Sequence, residues 1–556
     1  MNPKSMQRLP KGALIGAGAL AIILVVVVVL LVAGGGGDDG SDNAAAPQGG
    51  STQQQQDNSD QGADATPDTS SKPSLTGSAL PNGDLSNTRN MKGPITSKNV
   101  KDLQAGWSLP LGQESQSQYG SYAASPVVVK GVIYSQDLAS NVSAIDLKTG
   151  EVLWSKQYAS PDQGPNGVNV GGGRVYGVTA DSAFALDQKT GKEIWKKKLI
   201  ANDGEGLDMA PGYHHGMVYA STVPGNNGKF YGGGTRGILY ALDAATGEKK
   251  WSFDTAPLET WSKDKDNLAV NLGGGLWYTP AFDQQGYMYF GVGNPGPFPG
   301  TEDDPWGKSR PGKNLYTNSL VKLNAKTGKL KWYYQIIPHD IYDWDFQNPP
   351  ILTKVKGRPA VVESGKIGYV VALDRANGKV LWKRAVGKHN GHDKDPVYAY
   401  KKQYSKLKLN EEIYPGRLGG VIAPMSTDGK SVFAAVVNNS VTYTGQDKDQ
   451  ATDSQQSTGE LVAVDLDTGK IKWKVELQTA PYGATTVTND VVFATTFDGV
   501  VHAVNAKNGK MLWEQQLPAG TNTGVTVHQG TVVAPAGLPT GQGQTPSIVT
   551  YTLNGK

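Results

Sequence analysis

Apolar and polar residues alternate in short runs through residues 95–556, and the runs recur around one motif. It reads AIDLKTGEVLW at 144–154 and returns as ALDQKTGKEIW ending at Trp195 and ALDAATGEKKW ending at Trp251. Further copies are KLNAKTGKLKW ending at Trp332, ALDRANGKVLW at Trp382, AVDLDTGKIKW at Trp473 and AVNAKNGKMLW at Trp513. Alternation predicts a half-buried strand, Asp or Asn opens a turn, and Thr/Asn-Gly supplies the positive-φ position before a second strand that carries the Trp. Another apolar strand precedes each copy, as in PVVVKGVIY at 126–134. Several short strands per repeat, with copies roughly 40–90 residues apart, predict propeller blades with inserted loops.

Trp107, in AGWSLP at 105–110, has no hairpin before it, and the apolar strand SIVTYTL at 547–553 has no Trp after it. One blade shared between these two segments accounts for both and closes the ring without exposed strand edges. The expectation is therefore an all-β, eight-bladed propeller with tryptophan-docking repeats. The repeat tryptophans are expected to pack blade on blade. Trp261, Trp277, Trp306 and Trp344 lie outside the repeat and are candidates for other roles.

The N-terminal pattern is different. Residues 12–33 carry no charge and include the run IILVVVVVLLV, long enough to span a bilayer as a helix. Lys4, Arg8 and Lys11 precede it, and Asp38 and Asp39 follow, which places residues 1–11 in the cytoplasm and the remainder outside. A signal peptide cleaved after Ala33 is the alternative. Residues 34–88 are rich in Gly, Gln, Asp, Ser, Ala and Pro and read as a disordered linker. The propeller then occupies 89–556, and the expected location is the cell membrane, single-pass, with the propeller extracytoplasmic.

Charge changes the picture by exclusion. Lys and Arg total 53 against 50 Asp and Glu, which argues against a nucleic-acid partner. Cysteine is absent, so disulfides, thiolate metal sites, c-type haem attachment and a cysteine-linked lipid anchor are excluded.

The repeat and its eightfold count resemble the quinoprotein alcohol dehydrogenases, which use pyrroloquinoline quinone (PQQ). Four segments carry the resemblance: GGGLW at 273–277, GNPGPF at 293–298, RPGKNLYTNS at 310–319 and YQIIPHDIYDWD at 334–345. It implies Trp277 as the floor under the quinone, Asn294 as a Ca²⁺ ligand, Asp343 as ligand and general base, and Lys366, in SGKIGY, as the basic group at the reactive carbonyls. Taken by residue type alone, each is open to a plainer role: Trp277 as core packing, Asn294 as a turn former before Pro295, Asp343 as a loop carboxylate, Lys366 as a solvated cation. Asp340 and Asp345 are acids near enough to share the role of Asp343, and His339 in the same motif is expected to be structural.

The departures from the family pattern are as specific. Its Ca²⁺-binding Glu falls at about Gly232, its carboxylate-pairing Arg near Asn166, and its vicinal disulfide is impossible here. Losing a carboxylate weakens a Ca²⁺ site, and losing an Arg weakens PQQ binding. The segment 388–395, KHNGHDKD, gathers His389, His392, Asp393 and Asp395; it is a metal-site candidate or a solvated loop. Two functions follow. One is a membrane-anchored dehydrogenase that oxidises an alcohol, aldehyde or sugar with PQQ and Ca²⁺ and passes electrons to a separate acceptor. The other is a cofactor-free scaffold at the cell surface, as in propellers of outer-membrane assembly lipoproteins.

Overall fold

The computed structural model describes residues 80–112, 120–224, 235–445, 449–451 and 454–553. Residues 12–33, the greater part of the expected linker and Gly232 lie outside the described residues. Among the described residues no helix is long and apolar enough to cross a membrane. Eight four-stranded sheets make up the fold, and all their pairings are antiparallel. In seven blades the strands follow chain order from the inner to the outer edge, as in the first: Val127–Val129, Val132–Gln136, Val142–Asp146 and Val152–Lys156. The inner strand there is fully buried, whereas the outer one is exposed at Val152, Leu153 and Ser155.

The eighth blade is composite. Its outer strand, Gln104–Pro110, pairs with Ser547–Thr552, which continues to Thr531–Ala536 and Thr526–His528. Trp107 thus lies on a strand completed by the far end of the chain, as its orphaned position required.

The repeat motif explains both the turn and the seam between blades. In the first blade Asp146 Oδ1 accepts hydrogen bonds from the backbone N–H groups of Lys148 and Thr149 and from the Thr149 hydroxyl, and Gly150 follows at φ +77°. The glycine is needed twice. A Cβ at Gly150 would lie 2.7 Å from the Trp107 ring of the preceding blade, and one at Gly247 would lie 2.8 Å from Trp195. The Trp195 indole N–H then donates to Ala244 O at 3.1 Å, and Trp382 does the same to Leu466 O at 2.8 Å. Trp107, Trp154, Trp332 and Trp473 donate across the seam in the same way, so a large apolar ring is docked and its one donor satisfied; the Trp251 indole N–H has no such partner.

The propeller begins earlier than the sequence boundary at residue 89. Residues 80–88, assigned to the linker by composition, form a strap across the inner strands. Leu85 O accepts from Phe282 N (2.7 Å), Ser86 O from Leu352 N (2.9 Å), Thr88 O from Thr427 N (2.9 Å) and Arg89 O from Val487 N (3.0 Å). Four consecutive blades each contribute one inner-strand N–H. In the strap the Asn87 amide donates to Thr279 O and Pro350 O, and Asp84 accepts from the backbone N–H groups of Ser86 and Thr88 and from the Thr88 hydroxyl.

Candidate functional site

Strand parity decides which loops share a face. In each blade the inner-to-second and third-to-outer turns open on one side; the second-to-third link and the link to the next blade open on the other. Trp277 lies on the link into the fourth blade, Asn294 between that blade's second and third strands, Asp343 on the link into the fifth, and Lys366 between the fifth blade's second and third strands. All four therefore belong to one face, on two adjacent blades.

Their contacts run through Lys366. Its Nζ lies 2.9 Å from Asp343 Oδ2 and 2.6 Å from Asp345 Oδ2. Asp345 Oδ1 accepts from the backbone N–H of Asn294 at 2.7 Å. A Cβ at Gly293 would lie 3.1 Å from Trp277 Nε1 and 3.2 Å from Asp345 Oδ1, so the indole edge and the carboxylate close on this glycine together. The structure thus brings Asp343, Lys366, Asn294 and Trp277 into one neighbourhood, and Asp345 is the residue that joins them.

Electrostatics follow from burial. Asp343 is 6% exposed and Asp345 2%, and with Lys366 they make two carboxylates against one cation. Burial, aided by the Asp345 charge, pushes Asp343 up to about 8, against the opposing pull of Lys366. Burial disfavours the Lys366 charge, but the two carboxylates outweigh it and raise its pKa. Lys366 therefore stays charged, and Asp343 is the group whose proton is negotiable.

The turn is built to present Asp343. Asp340 accepts from the backbone N–H groups of Tyr342 (2.9 Å) and Trp344 (2.6 Å) and from the Asn318 amide (3.0 Å). Arg310, fully buried, donates to Asp340 O at 2.6 Å and Pro297 O at 2.9 Å. The RPGKNLYTNS segment is thus a brace. Asp340 shapes the turn and does not replace Asp343. His339 sits between Gly312 O and Trp306 O, and burial, with the Arg310 charge, lowers its pKa to about 4; its role is structural, as expected. Trp261, Trp306 and Trp344 are buried, with the first and last donating to Leu315 O and Pro415 O. Of the four tryptophans outside the repeat, Trp277 alone is half-buried.

The residues present fit a hard cation and a flat ligand in part. Asp343 Oδ2 and the Asn294 amide nitrogen make the only side-chain hydrogen bonds of these two residues among the described residues, which leaves one carboxylate oxygen and one amide oxygen as donors. Oxygen donors of this kind suit Ca²⁺ or a similar ion. The missing Glu position, Gly232, is outside the described residues. Asn166 is buried and donates to Asp137 O, while its Oδ1 makes no hydrogen bond; no cation stands at that position. Among the described residues no group of three or more His, Cys, Asp or Glu is arranged to hold a metal. In the 388–395 segment, His389 and His392 instead pair with Asp393 and Asp395, each at 2.8 Å. Sequence reasoning missed that Asp395 also reaches Tyr342.

A family model described as "Glucose/ethanol/alcohol dehydrogenase, beta-propeller domain" matches residues 83–170 and 210–386. A second, "Outer membrane protein assembly factor BamB", matches 457–545. The quinohemoprotein alcohol dehydrogenase of Comamonas testosteroni is 31% identical over 503 residues, covering 79% of this chain and 68% of the relative. The putative dehydrogenase XoxF of Paracoccus denitrificans is 28% identical, covering 80% and 83%. The crystal structure of the Comamonas testosteroni enzyme superposes with a TM-score of 0.72 at 26% identity, over 86% of this chain and 81% of that one. Identity of this extent, over the same propeller, makes the chain a member of the PQQ-dependent quinoprotein alcohol dehydrogenase family.

Proposed function

We propose that the protein is a PQQ-dependent dehydrogenase of a small alcohol, aldehyde or sugar, with Asp343 as its base. The observation that supports this most is the Asp343–Lys366–Asp345 ion cluster beside Trp277 and Asn294. Bound PQQ would supply the two-electron acceptor, and a Ca²⁺-type ion the Lewis acid. Asn294 and Asp343 are the residues that would hold the ion, and Trp277 and Lys366 those that would hold the quinone.

The chain's own groups do the following. The Asp343 carboxylate takes the proton of the substrate hydroxyl. The ordinary cost of a buried carboxylate raises its basicity, and Lys366 keeps it from being protonated permanently. Lys366 places a fixed positive charge where negative charge develops on oxygen. Asp345 keeps Lys366 charged and oriented, and anchors the Asn294 backbone. The same reading places the protein at the cell membrane through residues 12–33, with the propeller outside and electrons leaving to a separate acceptor.

A second reading, a cofactor-free scaffold, is favoured by Asn166, which puts no cation where a PQQ carboxylate would need one. Reconstitution separates the two. The purified chain with PQQ and Ca²⁺ is expected to show a saturable absorbance change and alcohol-dependent dye reduction, both lost without the ion. Absence of any PQQ binding would leave the scaffold reading.

A further inference from the structure

The link from the fifth to the sixth blade spans 386–425, whereas the link from the first to the second spans 157–168. The long link is folded: a helix at Asp395–Tyr400, short helical turns at His392–Lys394 and Tyr404–Lys406, and a strand at Glu412–Ile413 that pairs with Val441–Tyr443. It grips the residues on both sides of Asp343. Tyr342 Oη donates to Asp395 Oδ2 at 2.7 Å, and its ring stacks on Tyr443 with centroids 5.3 Å apart. Trp344 Nε1 donates to Pro415 O at 2.9 Å. Both aromatic side chains are fully buried, in one cluster with Ile341, Ile367, Leu407 and Ile413.

The same segment reaches the Lys366 loop. Val421 N donates to Gly365 O at 3.1 Å, and His389 Nε2 lies 3.2 Å from Gly368 O. Side chains therefore alternate along the turn. Tyr342 and Trp344 point into the long link, while Asp343 and Asp345 meet Lys366. Asp343 itself holds φ +61°, a left-handed conformation that a non-glycine residue keeps when its surroundings over-determine it.

We propose that residues 386–425 form a clamp that sets Asp343 against Lys366, with Tyr342 and Asp395 as its positioning residues. Asp395 is 6% exposed and accepts from Tyr342 while pairing with His392 at 2.8 Å. It fixes the first turn of the helix to the residue that precedes the base. Loss of either partner frees the turn to leave its strained conformation, and the carboxylate of Asp343 with it. The proposal rests on the reading of Asp343 given above, so its test includes measurements that need neither cofactor nor turnover.

The variants are Tyr342→Phe, which keeps the ring stack, Asp395→Ala, and Asp395→Asn, which retains an acceptor for the phenol. Lys408→Ala, on the exposed side of the same segment, is the control. Hydrogen exchange of the cofactor-free protein is expected to rise at 340–345 in Tyr342→Phe and Asp395→Ala, and not in the repeat hairpins. Tb³⁺ bound by the Asp343 oxygens, read by luminescence sensitised through nearby tryptophans, is expected to weaken in the same two. With PQQ present, kcat is expected to fall roughly 10- to 100-fold with a smaller change in KM, and Asp395→Asn to recover most of it. Unchanged exchange at 340–345 in both variants would overturn the clamp. So would raised exchange with kcat and Tb³⁺ affinity intact, because the contact would then serve stability alone. If the wild-type chain binds neither Tb³⁺ nor PQQ, the dehydrogenase reading fails, and the exchange result still decides the clamp.

Discussion

Asp345 holds Asn294 by its backbone: one carboxylate oxygen accepts from the Asn294 N–H at 2.7 Å while the other meets Lys366 at 2.6 Å. One side chain thereby fastens a loop of the fourth blade to a loop of the fifth. It also fixes the cation that faces Asp343. The central acid of the site is thus the one that touches both neighbours, rather than the one expected to act as base.

Replacing Asp345 separates these roles. Asp345→Ala leaves Lys366 with one carboxylate and the Asn294 N–H without its acceptor, at a site where Asp345 is buried and the other two are half-buried. Breaking a buried pair in this way costs about 3–5 kcal/mol, read as a lower thermal midpoint, with activity lost. Asp345→Asn keeps the acceptor for Asn294 and removes the like charge beside Asp343. It is expected to keep most of the stability and to lower the Asp343 pKa, because the Asp345 charge is one of the causes that raise it. Equal stability loss in the two variants would show that charge, and not the hydrogen bond to Asn294, is what matters.

The seam between blades makes a stability prediction independent of chemistry. Gly247 has φ +73°, and an added methyl would lie 2.8 Å from Trp195. Gly247→Ala therefore meets a left-handed backbone and a ring that cannot retreat, and is expected to cost about 2 kcal/mol or more. A neighbouring exposed change, Glu248→Gln, should be silent. Denaturant unfolding measures both.

Arg89 tests the strap. It is fully buried and donates to Thr485 O, Val525 O and Thr486 Oγ1 at 2.7, 3.1 and 2.7 Å. No described carboxylate pairs with it, and burial lowers its pKa to about 10. Arg89→Met preserves bulk but leaves those acceptors without their donor, so it is expected to destabilise by about 2–4 kcal/mol. Removal of residues 80–91 should cost more, since four blades lose an inner-strand partner. An unchanged midpoint in either would show that the strap is a passenger.

These residues also show where sequence legibility ends. The blades were readable because each repeat encodes its own turn, seam and strand alternation locally, and Trp107 with 547–553 marked the closure. The strap was not. Asn82 and Asn87 fall in a stretch with the composition of a linker, and the partners of Asn87 and Arg89 lie hundreds of positions away, on or beside inner strands. The same holds at the site. The family resemblance named Asp343, Lys366, Asn294 and Trp277, and the structure gathers them. The pairing of Tyr342 with Asp395 crosses from one blade link to another and has no periodic signature. The His389–Asp395 segment was open between a metal site and a solvated loop because it concentrates ligand types, whereas its acids are engaged by imidazole and phenol groups at close range.

Two further acids give a prediction in pH. Asp162 and Asp208 lie on the links into the second and third blades, on the same face as Asp343, and are 2% and 1% exposed. They share a hydrogen bond, and burial raises Asp162 to about 6 and Asp208 well above the ordinary 3.8. A carboxyl whose pKa is raised on folding favours the folded state fully below its unfolded value. That advantage is lost as pH rises through the folded value. The pair's contribution to stability should therefore be lost as pH rises from the ordinary carboxylate range through about 6, the raised value of Asp162. Asp208→Asn keeps the shape and one hydrogen-bond partner for Asp162 but removes the second charge. Relative to wild type, it is expected to be near neutral at pH 4 and stabilising at pH 8, by on the order of 2 kcal/mol. Thermal midpoints of the two proteins measured across that range decide it. A constant difference at all pH values would mean that Asp208 does not carry the proton. A difference that shrinks toward pH 8 would mean that a cation, rather than a proton, neutralises the pair.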